Sequence, residues 1–186
     1  MTAPPNNRDS DEDLMRRTAA GDVAAFEAIF DRYAGRIVSF ALRMTGDRDL
    51  AESLAQETFL RALKNASGYA YPRPFSPWLF AIARNACLDE LRRKKPVLLD
   101  TPSPIEDPGG APSLLSALVQ DEEAKALMTA IQDLPDKFRE VLVLRAFHDL
   151  PYAEIAEIVN CNESTARSRM DYALGRLRKF FHTKNL

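Results

Sequence analysis

The chain has 186 residues, 46% of them hydrophobic and 28% charged, with two cysteines and a formal net charge of −2. That makeup suits one or two modest cores and excludes a wholly disordered chain. No apolar run approaches the roughly 20 residues that a membrane span needs, and the polar start around Asn6 and Asp9 lacks the basic-then-apolar order of a secretion signal. A cytoplasmic protein without membrane insertion is expected. Cys87 and Cys161 stand alone in helical contexts, so no disulfide framework, no metal site and no cofactor is called for.

The first half reads as helix throughout. Asp22 is placed to cap a helix in which Phe26, Ile29, Phe30, Tyr33, Ile37, Phe40, Ala41 and Met44 trace a 3.6-residue stripe, and Thr45-Gly46-Asp47 stops it. A second helix is expected from Arg48 to Asn65, with Leu50, Leu54, Ala55, Phe59, Ala62 and Leu63 inward. A third begins near Pro77 and ends at the basic run Arg92 to Lys95, ahead of Pro96. That run suits either phosphate contact or a solvated helix end favoured by the dipole. Between the second and third helices, Ser67 to Ser76 contains a glycine, two prolines and three aromatic residues, so it is an irregular, aromatic loop. Trp78, one turn from Ile82, reads as core.

Residues 96–120 differ from both flanks. They hold five prolines, a Gly109-Gly110 pair, three acids and no Lys or Arg, which is the composition of a linker, although Leu114, Leu115, Leu118 and Val119 suit the start of a further helix. The charge also divides there: 15 basic against 13 acidic residues over 1–95, none against three over 96–120, and 10 against 11 over 121–186. A protein holding DNA alone by phosphate neutralisation is usually more basic.

The last segment contains a helix-turn-helix pattern. Pro151-Tyr152-Ala153-Glu154-Ile155-Ala156-Glu157-Ile158-Val159 forms the first helix, with the proline at its first position, and Asn160-Cys161-Asn162 makes the break. Asn162 then caps a helix whose Ala166, Met170, Ala173, Leu177 and Phe180 or Phe181 face inward. Ser164, Thr165, Arg167, Ser168, Asp171 and Tyr172 face outward, where a major groove would meet them.

Three stretches in this order carry a family resemblance: Ala51-Glu52-Ser53-Leu54-Ala55-Gln56-Glu57-Thr58-Phe59-Leu60-Arg61-Ala62, then Phe75-Ser76-Pro77-Trp78-Leu79-Phe80-Ala81-Ile82-Ala83-Arg84-Asn85, then Leu134-Pro135 through Arg145 with the helix-turn-helix behind it. From about Asp11 to Phe181 the chain resembles the extracytoplasmic-function (ECF) group of bacterial RNA polymerase sigma factors, within the sigma-70 family. The resemblance implies an all-α protein of two small helical domains. A flexible N-terminus (1–10) is followed by a sigma-2-like domain (11–95), the Pro-rich acidic linker (96–120) and a sigma-4-like helix-turn-helix domain (121–186).

The resemblance also implies a non-enzymatic function, directing core polymerase to promoters and assisting their opening. Partners would be the β′ clamp helices and β flap of RNA polymerase core, promoter DNA and an anti-sigma protein. Gln56 and Glu57 match polymerase-contacting positions, and Ser53 stands where the family commonly has an acid, which leaves Glu52 as the substitute contact. The aromatic loop and following helix would read the minus-10 element through Tyr69, Tyr71, Arg73, Phe75, Ser76, Arg84, Asn85 and Asp89. Ser164, Thr165, Arg167, Ser168, Arg169 and Tyr172 would serve the minus-35 element, although Arg169 lies toward the packed side. Asp100, Glu106 and Asp107 of the linker would stand in for RNA against a basic channel. Polymerase would hold the two domains apart along DNA. The alternative is a stand-alone helix-turn-helix regulator, which would bind a palindrome as a dimer without polymerase.

Overall fold

The computed structural model describes residues 9–94 and 122–183. Among these residues are eight α-helices and no strand: α1 (Asp11–Ala19), α2 (Val23–Thr45), α3 (Arg48–Lys64), α4 (Phe75–Lys94), α5 (Glu122–Gln132), α6 (Asp136–His148), α7 (Tyr152–Ile158) and α8 (Glu163–Thr183). A 3-10 turn, Ala66–Gly68, follows α3. The all-α expectation holds. The linker with Asp100, Glu106 and Asp107, and the apolar residues 114–119, lie outside the described residues.

Side chains that accept orphan amides write the helix starts. Ser10 Oγ accepts from Asp13 N (3.1 Å), Asp22 Oδ1 from Ala25 N (3.3 Å), Asp47 Oδ1 from Leu50 N (3.0 Å) and Asn162 Oδ1 from Thr165 N (2.7 Å). At the other end of α2, Gly46 takes φ +76° and its N–H reaches Leu42 O at 2.8 Å. This left-handed closure is costly for any residue with a Cβ.

Two starts differ from the sequence pattern. α4 opens at Phe75 instead of Pro77, because Glu12 Oε1 accepts the Phe75 N–H at 3.1 Å and puts a carboxylate at the positive helix end. Pro77 therefore falls in the first turn, where its missing amide costs nothing. Glu12 belongs to α1, a helix the periodicity did not reveal. It buries Leu14 and Met15, while its Asp11 accepts from Tyr33 Oη (2.6 Å) and Arg32 Nη1 (2.7 Å). In the last domain Pro151 is the N-cap of α7 and Tyr152 its first residue.

One apolar core runs through both halves, with α2 at its centre. Phe40, Phe75, Phe80, Ile29, Ile37 and Leu79 are fully enclosed in the first half, and Ile131, Leu142, Leu144, Ile155 and Ala166 in the second. The domains that the resemblance would hold apart thus pack on each other in the chain alone.

Polar groups complete that contact. Arg139 is buried, and its guanidinium donates to Ile131 O (3.1 Å), Gln132 O (2.5 Å) and Leu134 O (2.8 Å) in its own half and to Met44 O (2.7 Å) in the other. Gln132 Nε2 donates to Arg43 O at 2.7 Å. These donors satisfy the last carbonyls of α2, which a helix end otherwise leaves without partners. His148 closes the seam, its ring 6.0 Å from Phe40 and 4.9 Å from Phe80. Among the described residues no helix is long and apolar enough to cross a membrane.

Candidate nucleic-acid and polymerase interface

The aromatic loop has a packed floor and an exposed rim. Tyr69 is buried, 5.3 Å from Trp78 and 6.1 Å from Phe75, and its hydroxyl donates to Arg73 O. Burial pushes its phenol up to about 12. Phe75 is fully enclosed between Tyr33 (5.2 Å) and Trp78 (5.8 Å). Trp78 joins this packing, as its spacing suggested. The Ser76 hydroxyl is buried, with no hydrogen-bond partner among the described residues. Tyr71, which precedes Pro72 through a cis peptide, is exposed, with the Arg16 guanidinium 5.3 Å from its ring centre. Arg73 is also exposed and lies 3.4 Å from Glu157 of α7. Of the five loop candidates, Tyr71 and Arg73 face solvent, while Tyr69, Phe75 and Ser76 shape the support beneath them.

On α4, Asn85 and Asp89 are exposed, the latter 3.6 Å from Arg92 and 4.0 Å from Arg61 of α3. Arg84 is engaged. Its Nε donates to Glu140 Oε2 at 2.7 Å, and the other oxygen of that carboxylate lies 3.4 Å from Arg169 Nη1 of α8. Glu140 itself is 1% exposed. One buried acid of α6 therefore gathers an arginine from each of the two faces that the sequence assigned to DNA.

The helix-turn-helix is formed by α7 and α8, with Asn160 (φ +52°) in its turn. Ala166, Met170 and Ala173 bury the inner face of α8 as the spacing required. Ser164, Arg167 and Ser168 are exposed, and Ser168 Oγ donates to Ser164 O at 3.1 Å. Thr165 is half-buried at the capped start. Arg167 pairs with Glu163, and its guanidinium carbon lies 4.5 Å from the centre of the Tyr152 ring. Tyr172, 45% exposed, stacks on Phe138 at 4.0 Å.

On α3, Glu52, Gln56 and Glu57 all face solvent. Glu52 pairs with Arg48 (3.0 Å) and Glu57 with Arg61 (2.6 Å), whereas Ser53 Oγ turns back to Asp49 O (2.9 Å). Beside them Leu60 is 59% and Leu63 44% exposed, with Phe30 of α2 at 42%. The periodicity placed Leu63 and Phe30 inward; the structure puts both at the rim, Phe30 resting one side on Phe59 at 4.8 Å. A helical stripe gives the direction of the core but not its edge. Partly open apolar side chains thus stand next to the polar contact candidates of α3.

Glu140 and Tyr152 were not among the site residues read from the sequence. An acid directly before the apolar run Val141 to Leu144 was the available signal for the first. Nothing in the spacing pointed to the second.

Two helical domains, one with a solvent-facing aromatic rim and the other with a helix-turn-helix, define the class: an all-α protein built to address nucleic acid alongside a larger partner. The family model for Sigma-70 region 2 matches residues 29–97 and that for Sigma-70 region 4 matches residues 130–179. The chain is similar to the ECF RNA polymerase sigma factor SigW of Bacillus subtilis (35% identical, covering 89% of this chain and 93% of the relative). It is also similar to the RNA polymerase sigma factor CarQ of Myxococcus xanthus (32%, covering 89% and 94%). The chain belongs to the ECF group of the sigma-70 family and is a sigma factor that directs promoter-specific transcription initiation. Two solved structures share its fold: CnrH in complex with the cytosolic domain of CnrY (TM-score 0.73, 23% identical, covering 94% of this chain and 99% of that one), and the Bartonella quintana sigma factor RpoE in complex with the anti-sigma factor NepR (0.67, 22%, covering 86% and 98%).

Proposed function

We propose that α3 docks on the β′ clamp helices of core polymerase through Glu52, Gln56 and Glu57, with Leu60 and Leu63 supplying apolar contact. Asn85, Asp89, Tyr71 and Arg73 then face the minus-10 element over the support of Tyr69, Phe75 and Ser76. Stacking of an unpaired base on an aromatic rim contributes about 1–3 kcal/mol, enough to offset much of what unstacking costs. Ser164, Thr165, Arg167, Ser168 and Tyr172 meet the minus-35 element, where Arg167 can address a guanine with two parallel hydrogen bonds. The β flap is assigned to the groove between α5 and α8, lined by Leu134, Lys179 and Phe180. Arg84 and Arg169 join the DNA contacts only after Glu140 releases them. In this reading residues 11–95 and 121–186 are the two working domains, 96–120 connects them, and the protein acts in the cytoplasm, where an anti-sigma protein covers its polymerase-binding surfaces.

The observation that carries this reading is the recognition helix itself, whose outer face presents Ser164, Arg167 and Ser168 to solvent while its inner face is packed. Reconstitution of the full chain with purified core polymerase on a promoter library tests it. Initiation that needs both components, with little specific binding by the chain alone, is expected. Tight palindrome-specific binding without polymerase would instead establish the stand-alone regulator.

A further inference from the structure

We infer that Tyr152, at the start of α7, positions Arg167 for base reading by offering its ring face to the guanidinium; this rests on the assignment of Arg167 to the minus-35 element. Arg167 has two neighbours that come from different helices. Glu163 lies one turn back on α8 itself, and Tyr152 comes across the motif from α7, with the guanidinium carbon 4.5 Å from its ring centre. An exposed pair of the Glu163 type leaves a long side chain free to swing and contributes little. An aromatic face adds a planar constraint, because a guanidinium lies flat on it and is drawn to the ring's negative face.

The platform is tied to the scaffold. Tyr152 is half-buried and packs against the core, and Arg145, whose Nη1 donates to Leu150 O at 3.1 Å, approaches the same ring at 5.4 Å. Two consequences follow for a bound promoter. Approaching phosphates repel the Glu163 carboxylate and weaken its hold on Arg167, but they do not repel an uncharged ring, so Tyr152 is the constraint that persists. Reading a guanine edge through two parallel bonds also depends on the plane of the guanidinium, whereas a phosphate contact tolerates rotation. Tyr152 should therefore govern discrimination at one base more than overall affinity, by fixing beforehand a side chain that otherwise loses rotamer freedom on docking.

The test uses holoenzyme reconstituted from the full chain and core polymerase, selecting from promoters randomised in the minus-35 element. Tyr152→Phe keeps the ring and should match the unaltered protein. Tyr152→Leu should flatten the preference at the base position that Arg167→Ala also flattens, by about two- to five-fold, the size of an exposed cation–π contact. It should have no further effect when Arg167→Ala is already present. Because leucine can disturb packing, replacement of Tyr152 by a trifluorinated phenylalanine, which keeps the shape and depletes the ring face, is read in the same way and should reproduce the loss. If Arg167→Ala changes no base preference, the assignment of Arg167 fails and this inference with it. If Arg167→Ala flattens one position while the leucine and fluorinated variants both leave it sharp, the inference alone is overturned; a loss that persists undiminished in the Arg167→Ala background also overturns it.

Discussion

Replacing Arg84 by methionine should shift the free chain toward separated halves. The substitution removes the α4 arm of the Glu140 cluster and leaves the Glu140–Arg169 contact within the second half. Glu140 has a side chain only 2% exposed, its 2.7 Å bond to Arg84 is short and charge-assisted, and its other partner stands at 3.4 Å. Removing one member of a buried ion pair costs about 3–5 kcal/mol, and a charged hydrogen bond alone about 1.5–3 kcal/mol. Arg84 keeps 18% side-chain exposure, which admits some water and puts the loss at the lower end, about 2–3 kcal/mol. That is roughly a 30- to 150-fold shift toward separated halves. Glu140→Gln keeps an acceptor without the charge and should lose about 1–2 kcal/mol. The structure supplies a control: Arg73 and Glu157 also bridge the halves, but at 3.4 Å with side chains 51% and 56% exposed, so Arg73→Ala should shift the balance by less than about 1 kcal/mol. Small-angle scattering of the free chain reads the outcome as a larger radius of gyration, with unchanged helicity showing that each half remains folded. If Arg84→Met scatters like the unaltered protein, or Arg73→Ala opens the chain equally, the cluster does not add about 2–3 kcal/mol, roughly 30- to 150-fold, to the seam.

Gly46→Ala should lower stability by about 1–3 kcal/mol in urea unfolding, because a Cβ meets both the left-handed backbone and the Gln132 side chain 3.2 Å away; an unchanged midpoint would refute this. Burial, with Arg36 and Arg43 nearby, lowers the His148 imidazole to about 4, whereas an unfolded histidine protonates near 6.5. Between those values the unfolded chain binds more protons, so stability should fall as pH drops through this window, by up to about 3 kcal/mol, and His148→Leu should flatten that part of the melting profile. Gln56→Ala combined with Glu57→Ala should weaken association with core polymerase in size-exclusion titration while moving stability by no more than about 0.5 kcal/mol; undiminished association would remove α3 from the polymerase contact.

The helices were legible where local chemistry decides them. Asp22 and Asn162 cap where the sequence places caps, Gly46 stops α2, and the inner faces of α2 and α8 follow the 3.6-residue period. What escaped depends on residues far apart in the chain. α1 is too short to show periodicity, yet its Glu12 sets the start of α4 from 63 positions away. The rim positions of Phe30 and Leu63 depend on where neighbouring helices end, which a stripe does not encode. For the site, the outward faces of α3 and α8 were readable as polar series. The engagement of Arg84 was not, since its partner lies in the other domain, and the Tyr152–Arg167 stack arises only when the turn folds one helix across the other.

In the proposed function, the closed arrangement and promoter reading compete for the same side chain. Arg84 cannot donate to Glu140 and face displaced DNA at once, so the apparent affinity of any partner that needs the open form is reduced by the fraction of chains that are open. Resistance to opening lies in the seam, in Arg139 on Met44 O, Gln132 on Arg43 O, the packing of His148 on two phenylalanines and the Arg84–Glu140 bond. Glu52, Gln56, Glu57 and Leu60 of α3, by contrast, stay exposed while the seam is shut. Docking through α3 can therefore precede opening, and contacts made afterward by the second half can offset what the seam loses. An order in which separation must come first would require this face of α3 to be covered in the closed chain, and it is not.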